Sequence, residues 1–327
     1  MKRKSFYPLK QIYNLLKFIV LAIIVLLIWR QILDGDTIAF TDHFRERLHK
    51  GHYLIYLVVL TVIMPINWIL EGRKWQLLMA PFENISLKKA IKIIVSGVAV
   101  GIVTPGRIGE YAGRLVASDP TQKTEVITAT LLGSIAQNFW NILGGVALSY
   151  VFFKNTLQIT TDYQIFFMWI SILEIIFMIW VYYSLPKMVS WLQKWWKKPS
   201  KWIERVKGTS IYTTDILNQV LILSMLRYLI YFSQYFLMML FLGVEVHWLD
   251  MAAMIAGIYL IQTGIPLPAF MSVFARGEVA ILVWSTLGVE SITALTATFL
   301  LWLINLIVPA LVGLYVLSRA DVRAYFR

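Results

Sequence analysis

The sequence predicts an all-α fold: a polytopic integral membrane protein with about six full spans and two re-entrant helical hairpins arranged as an inverted repeat. Three observations carry this. The 327-residue chain is 59% hydrophobic and only 15% charged, whereas about a quarter of the residues of a soluble domain are charged. Its apolar blocks are long and unbroken, which suits membrane helices and not the alternating strands of a barrel. Its basic residues crowd beside some apolar blocks and avoid others, so they report orientation. The length fits one membrane domain over residues 1–327.

Apolar segments centre on residues 15–33, 53–70, 88–103, 126–153, 165–185, 216–242, 249–264, 273–289 and 292–317. The first follows a basic N-terminus and resembles a signal peptide. It runs into Trp29 and Arg30 with no small-residue cleavage site, so it reads as a retained helix. Lys and Arg number five in residues 1–17, five in 71–92 and seven in 187–207. Residues 34–50 carry three, outnumbered by four acids; residues 154–164 carry one, and 243–250 and 289–293 none. The positive-inside rule puts the first group and both termini in the cytoplasm and the second group outside.

This assignment leaves two stretches that begin and end on one side. Residues 86–118 enter and leave from the cytoplasm, and residues 249–289 from outside, so each reads as a re-entrant hairpin. As a helix, Ile91 to Val103 is about 20 Å long, short of a hydrocarbon core of about 30 Å. Breakers mark both tips, Thr104-Pro105-Gly106 and the run Gly264 to Pro268. The alternative is a pair of ordinary kinked spans, since Pro is tolerated in membrane helices.

Glu110 follows the first tip and Glu278 the second, 168 residues apart. The same offset carries the span at 53–70 into that at 216–242, and 126–150 onto the last span. Two repeats follow, 53–153 and 216–318, each reading span, hairpin, span with opposite orientation. Many secondary transporters are built this way, with the site at the midplane. Pro105 precedes Glu110 by five residues while Pro268 precedes Glu278 by ten, so the second charged pair is expected deeper in its return helix.

The tips carry the candidate substrate site: Thr104, Gly106, Arg107, Gly109 and Glu110 from the first, and Arg276 and Glu278 from the second. Thr104 suits an N-cap and Pro105 a first helical position, which would aim free N–H groups and a positive dipole end at mid-membrane. Arg107 and Arg276 would grip a phosphate. Gly106 and Gly109 would let a ligand reach the backbone. Glu110, on the face of Arg107, would neutralise it, contact a cationic headgroup or carry a proton. The bland alternative is an Arg–Glu brace within the hairpin.

Secondary polar positions are Arg114, Gln137, Asn138, Asn141, Arg227 and Asn305. The amides read chiefly as interhelical hydrogen-bonding groups. Arg227 reads as snorkelling near the inner interface, Glu71 and Arg73 as a surface pair, and Glu174 as an acid within the span at 165–185 with no assignable partner. Residues 187–207 combine seven basic residues with four Trp, the pattern of a segment lying on the anionic inner leaflet.

The net charge of +12 is therefore lipid-facing and does not indicate nucleic acid. No metal-ligand spacing, nucleotide loop or nucleophile–base pair occurs, so no cofactor and no enzymatic step is expected. A homo-oligomer stays open.

The motifs "TPGRIGEYAGRL", "GSIAQNFWNILGG" and "PLPAFMSVFARGEVAIL" together resemble the lysylphosphatidylglycerol synthase transmembrane-region family, also called flippase-like, over nearly the whole chain. Members often have a Gly-rich stretch where this chain has Phe270-Met271-Ser272, and Glu-Arg where it has Gln137-Asn138. The resemblance implies movement of aminoacylated or other lipids between leaflets. The chain ends ten residues past its last apolar segment, so it implies transport without the synthase domain. The leading expectation is a flippase of the bacterial inner membrane acting on membrane lipids, with an anionic or zwitterionic phospholipid as substrate. A membrane-embedded headgroup enzyme and an ion-coupled solute transporter are the alternatives.

Overall fold

The computed structural model describes residues 37–102, 104, 107–118, 123–155, 161–195, 212–263 and 269–319. The predicted first helix, Pro105 and Gly106, the second tip at 264–268, most of the basic aromatic segment and the tail lie outside these residues. Every regular element among the described residues is helical, and none is a strand.

A short helix α1 (Thr37–His49) leads into α2 (Gly51–Met79). Two short helices follow, α3 (Leu87–Gly101) and α4 (Gly109–Ala117). The long α5 (Lys123–Asn155) and α6 (Thr161–Trp195) complete the first half. The second half contains α7 (Thr214–Phe241), α8 (Trp248–Thr263), α9 (Ala269–Ser285), α10 (Ser291–Trp302) and α11 (Val308–Ser318). A π-helical turn, Leu303–Ile307, joins the last two. Local signals set the starts: Ser86 Oγ accepts from Lys89 N at 3.3 Å before α3, and Thr213 Oγ1 accepts from Ile216 N at 3.4 Å before α7.

Among the described residues four helices are long and apolar enough to cross a membrane: Gly51–Met79, Asp162–Ser184, Thr214–Phe241 and Ser291–Ser318. The predicted span at 126–153 is not one of them. Its helix α5 has 33 residues, but Ser134, Gln137, Asn138 and Asn141 interrupt its apolar run. These polar groups turn inward, as described below. Helix α6 faces outward: only 6% of its apolar window is buried, against 33% for α7, and Phe166, Trp169, Leu173, Phe177 and Trp180 are exposed along it. Glu174 is exposed on this same helix.

Helices α3 and α4 form a close antiparallel hairpin. A side chain at Gly113 would collide with the Ser96 carbonyl, and one at Gly97 with Arg114 and the Glu110 carbonyl. Helices α8 and α9 form a second antiparallel pair, with Thr286 Oγ1 3.7 Å from Met254 Sδ. Each hairpin packs on the long helix of the opposite half. Gly313 of α11 rests on the Val95 carbonyl and Ala99 of α3, while Gly145 of α5 rests on the Ala256 carbonyl and Leu260 of α8. Helices α2 and α7 cross antiparallel at the centre, where Gln234 Nε2 donates to the Leu60 carbonyl at 2.7 Å.

Two apolar cores occupy opposite ends of this α2–α7 pair. One gathers Leu60, Met238, Met254 and Trp284; the other gathers Trp75, Ile93, Leu132 and Val220. Between them, along both helices, the buried residues are polar: Asn67 and Glu71 on α2, Arg227 and Gln234 on α7.

Candidate functional site

A cavity of about 510 Å³ fills this polar interval. It is lined by Arg107, Glu110 and Arg114 from the first hairpin, Arg276 from the second, and Gln137, Asn138, Asn141, Arg227 and Asn305 from the long helices. Nine of the residues singled out in the sequence thus come together, although they lie up to 198 positions apart in the chain. Arg107 and Arg276, one from each hairpin, face this same cavity.

Glu71 is the hub of the charged side. Lys74 Nζ lies 2.6 Å from its carboxylate and donates to the Gly133 carbonyl at 3.2 Å. Arg227 pairs with the same carboxylate through Nη1, while its Nε donates to Asn67 Oδ1 at 2.7 Å. Arg114 Nη2 reaches Glu71 at 3.5 Å and Glu110 at 3.4 Å, and Glu110 also pairs with Arg107. Aromatic faces shield the guanidinium groups: Arg114 stands 5.0 Å from the Trp75 ring centroid and Arg227 5.9 Å from that of Trp68. Such burial is tolerated because each charge has a partner in a medium where an isolated one would cost several kcal/mol.

Apart from Arg276, the opposite side is uncharged. Tyr231, Tyr235, Tyr259, Gln262, Thr263 and Thr298 line it. Trp284 Nε1 donates to Tyr235 Oη at 3.2 Å, Tyr259 Oη donates to the Tyr231 carbonyl at 2.9 Å, and Asn141 Nδ2 donates to Thr263 Oγ1 at 3.2 Å.

Several expectations are corrected by this geometry. Arg227 sits at the middle of α7, buried and fully engaged, because three partners on α2 and α5 hold it; Gln137 Oε1, 3.2 Å from Nη1, is the third. Glu71 and Arg73 are not a surface pair: Glu71 is buried in the network, and Arg73 turns out to donate to Gln76 Oε1 at 2.5 Å. The return helix starts at Gly109, not at Pro105. Its N-cap is Ile108 and not Thr104, but Gly109 N donates to Thr104 Oγ1 at 2.7 Å, so the first N–H is already occupied. Gly109 packs against the Val100 carbonyl and Thr104, which serves hairpin closure and not ligand access. Arg107 holds a left-handed backbone, φ 57°, a conformation that costs a non-glycine residue about 1–3 kcal/mol and clusters at functional sites. Glu278 does not line the cavity, although Arg276 does; two residues apart on a helix, they point to different sides. Gly106 lies outside the described residues.

The profile of the lysylphosphatidylglycerol synthase TM region matches residues 14–313. The chain belongs to this family. Membership and the apolar helices make it a multi-pass membrane protein of a family related to lipid modification or transport, whose associated substrates are lipids. No curated protein matches the chain.

Sequence reading missed Glu71, Lys74 and the tyrosines of this family member's cavity. The signal for Glu71 was present: Trp75, Leu78 and Met79 continue the apolar face of α2 beyond the charged run, so the helix does not end where its hydropathy drops.

Proposed function

We propose that the chain is a lipid transporter, a flippase of the bacterial cytoplasmic membrane. It moves a phosphate-bearing lipid between leaflets without altering it chemically. In this reading six spans and two re-entrant hairpins form an inverted repeat, residues 53–153 and 216–318, with both termini cytoplasmic. The packing supports the repeat. Helices α3 and α8 begin 161 residues apart, and Gly145 and Gly313, 168 apart, rest on positions of those helices that are themselves 161 apart. The seven-residue difference falls in the second tip, where α9 starts earlier relative to Glu278 than α4 does relative to Glu110. Short hairpin helices of 15 and 16 residues also support it, being about 22–24 Å long where a full span needs about 30 Å.

One observation carries the function: a cavity between two apolar cores receives Arg107 from one hairpin and Arg276 from the other. A phosphate between them would relieve the repulsion of the two guanidinium groups and compete with Glu110 for Arg107. Its departure would let the Arg107–Glu110 pair re-form, so Arg107 keeps a partner in the empty site. Acyl chains would stay in lipid while the head crosses.

The test is a leaflet-accessibility assay in proteoliposomes of phosphatidylethanolamine and phosphatidylglycerol, with tail-labelled phosphatidylglycerol and phosphatidic acid as tracers. The wild type should accelerate exchange of at least one tracer, and Arg107→Ala and Arg276→Ala should each lower the rate roughly tenfold or more. Unchanged rates in both folded variants would remove the mechanism.

A further inference from the structure

We infer that the headgroup taken by this cavity carries two or more negative charges, as a phosphomonoester or diphosphate does, and is neither zwitterionic nor aminoacylated. The inference rests on the transporter reading for its lipid part and on charge for the rest.

Five cationic side chains line the cavity, Lys74, Arg107, Arg114, Arg227 and Arg276, against two carboxylates, Glu71 and Glu110, an excess of three. The carboxylates are already shared: Glu71 serves Lys74, Arg114 and Arg227, and Glu110 serves Arg107 and Arg114. Arg276 forms no ion pair with a carboxylate among the described residues, and it shares the cavity with the Arg107 guanidinium. An uncompensated excess of this size in a low-dielectric interior calls for a counter-charge from the ligand.

Hydrogen-bond capacity points the same way. Arg114 Nε, Trp68 Nε1 and Trp302 Nε1 are buried donors without an acceptor among the described residues, and all three residues line the cavity. They suit an oxyanion with several acceptor atoms. The amide oxygens of Asn141 and Asn305 are unmet as well, and they offer places for headgroup hydroxyls.

A phosphodiester supplies one negative charge, a phosphomonoester about 1.5 to 2 near neutral pH. A lysyl ester would add positive charge to a site already in excess. The same phosphomonoester chemistry occurs in soluble phosphates, so the source must be tested together with the class.

The experiment measures binding to the full chain in detergent at pH 8, using dihexanoyl phosphatidic acid, phosphatidylglycerol, phosphatidylcholine, lysylphosphatidylglycerol and free glycerol 3-phosphate. Phosphatidic acid should bind roughly tenfold tighter than phosphatidylglycerol, and the other two lipids more weakly still. Arg276→Gln should bring the phosphatidic acid to phosphatidylglycerol ratio near one, and Arg276→Lys should preserve most of it, separating charge from folding. Phosphatidylcholine or lysylphosphatidylglycerol binding as tightly as phosphatidic acid would overturn the inference. Glycerol 3-phosphate binding as tightly would overturn the lipid source and uphold the charge class. Selective binding without tracer movement in vesicles sinks the transporter reading alone. Equal movement of all tracers sinks the charge inference alone.

Discussion

The two sides of the cavity use different chemistry on similar scaffolds. On one side α2, α4 and the middle of α7 present a network of ion pairs centred on Glu71. On the other, α8, α10 and the end of α7 present Tyr and Thr, joined to one another and to Asn141 of α5 by neutral hydrogen bonds, with Arg276 of α9 the one cation among the described residues there. Yet each hairpin seats a glycine-marked helix from the opposite half in the same manner. The packing is alike in the two halves while the electrostatics differ. Under the proposed transport function, a site with one ion-paired wall and one mostly uncharged wall would hold an anionic head chiefly on the first.

The contrast predicts where stability is concentrated. Removing the hub charge should have the largest effect. Glu71→Gln keeps the shape and leaves Lys74, Arg114 and Arg227 without their shared carboxylate. Breaking a buried pair in this way typically costs about 3–5 kcal/mol. Thermal unfolding in detergent should show a large fall in Tm and in recoverable protein. A loss no larger than that of a neutral-wall variant would mean the charged wall is solvated and the comparison fails.

How much of this was legible in the sequence follows from the range of the interactions. Hairpin lengths, breakers at the tips and the offset between Glu110 and Glu278 are local or periodic signals, and they located the elements that meet at the cavity. The network at Glu71 is neither. Its partners Arg114 and Arg227 lie 43 and 156 residues away, and no local pattern says that a Glu near the end of an apolar run is covered by them. Arg227 was misplaced for the same reason: hydropathy reports depth for an isolated helix, not for one whose polar face is met by Asn67 and Gln137. Glu278 illustrates the opposite error. A repeated sequence motif implies a repeated side-chain role, but on α9 it is Arg276 and not Glu278 that lines the cavity.

The hairpins themselves supply the intermediate prediction. Gly113 lies against backbone atoms of Ser96 and Gly97 on α3, whereas a Cβ at Gly257 on α8 would meet nothing within 4 Å. Gly113→Ala should therefore cost about 1–3 kcal/mol by forcing the helices apart. Gly257→Ala should be neutral or gain up to about 1 kcal/mol from helix propensity. Paired melts of the two variants sharpen the comparison, because equal losses would show that the second hairpin is packed as closely as the first.

The smallest effect belongs to the neutral wall. Tyr235 is buried, its hydroxyl 3.4 Å from Thr298 Oγ1 and accepting from Trp284 Nε1 at 3.2 Å. Tyr235→Phe removes that oxygen with little change in volume and leaves the indole N–H of Trp284 without its acceptor. Interhelical hydrogen bonds in membrane proteins average about 0.6 kcal/mol and reach about 1.7. The loss should therefore be about 1 kcal/mol, toward the upper part of that range because a buried donor is stranded. The same substitution leaves every charge in place, so phosphatidic acid should bind the variant with close to wild-type affinity. A melt shifted as far as that of Glu71→Gln, or a binding loss as large as that of Arg276→Gln, would show that the tyrosine wall holds the ligand or the fold as strongly as the charged one, and the division of labour between the two walls would have to be abandoned.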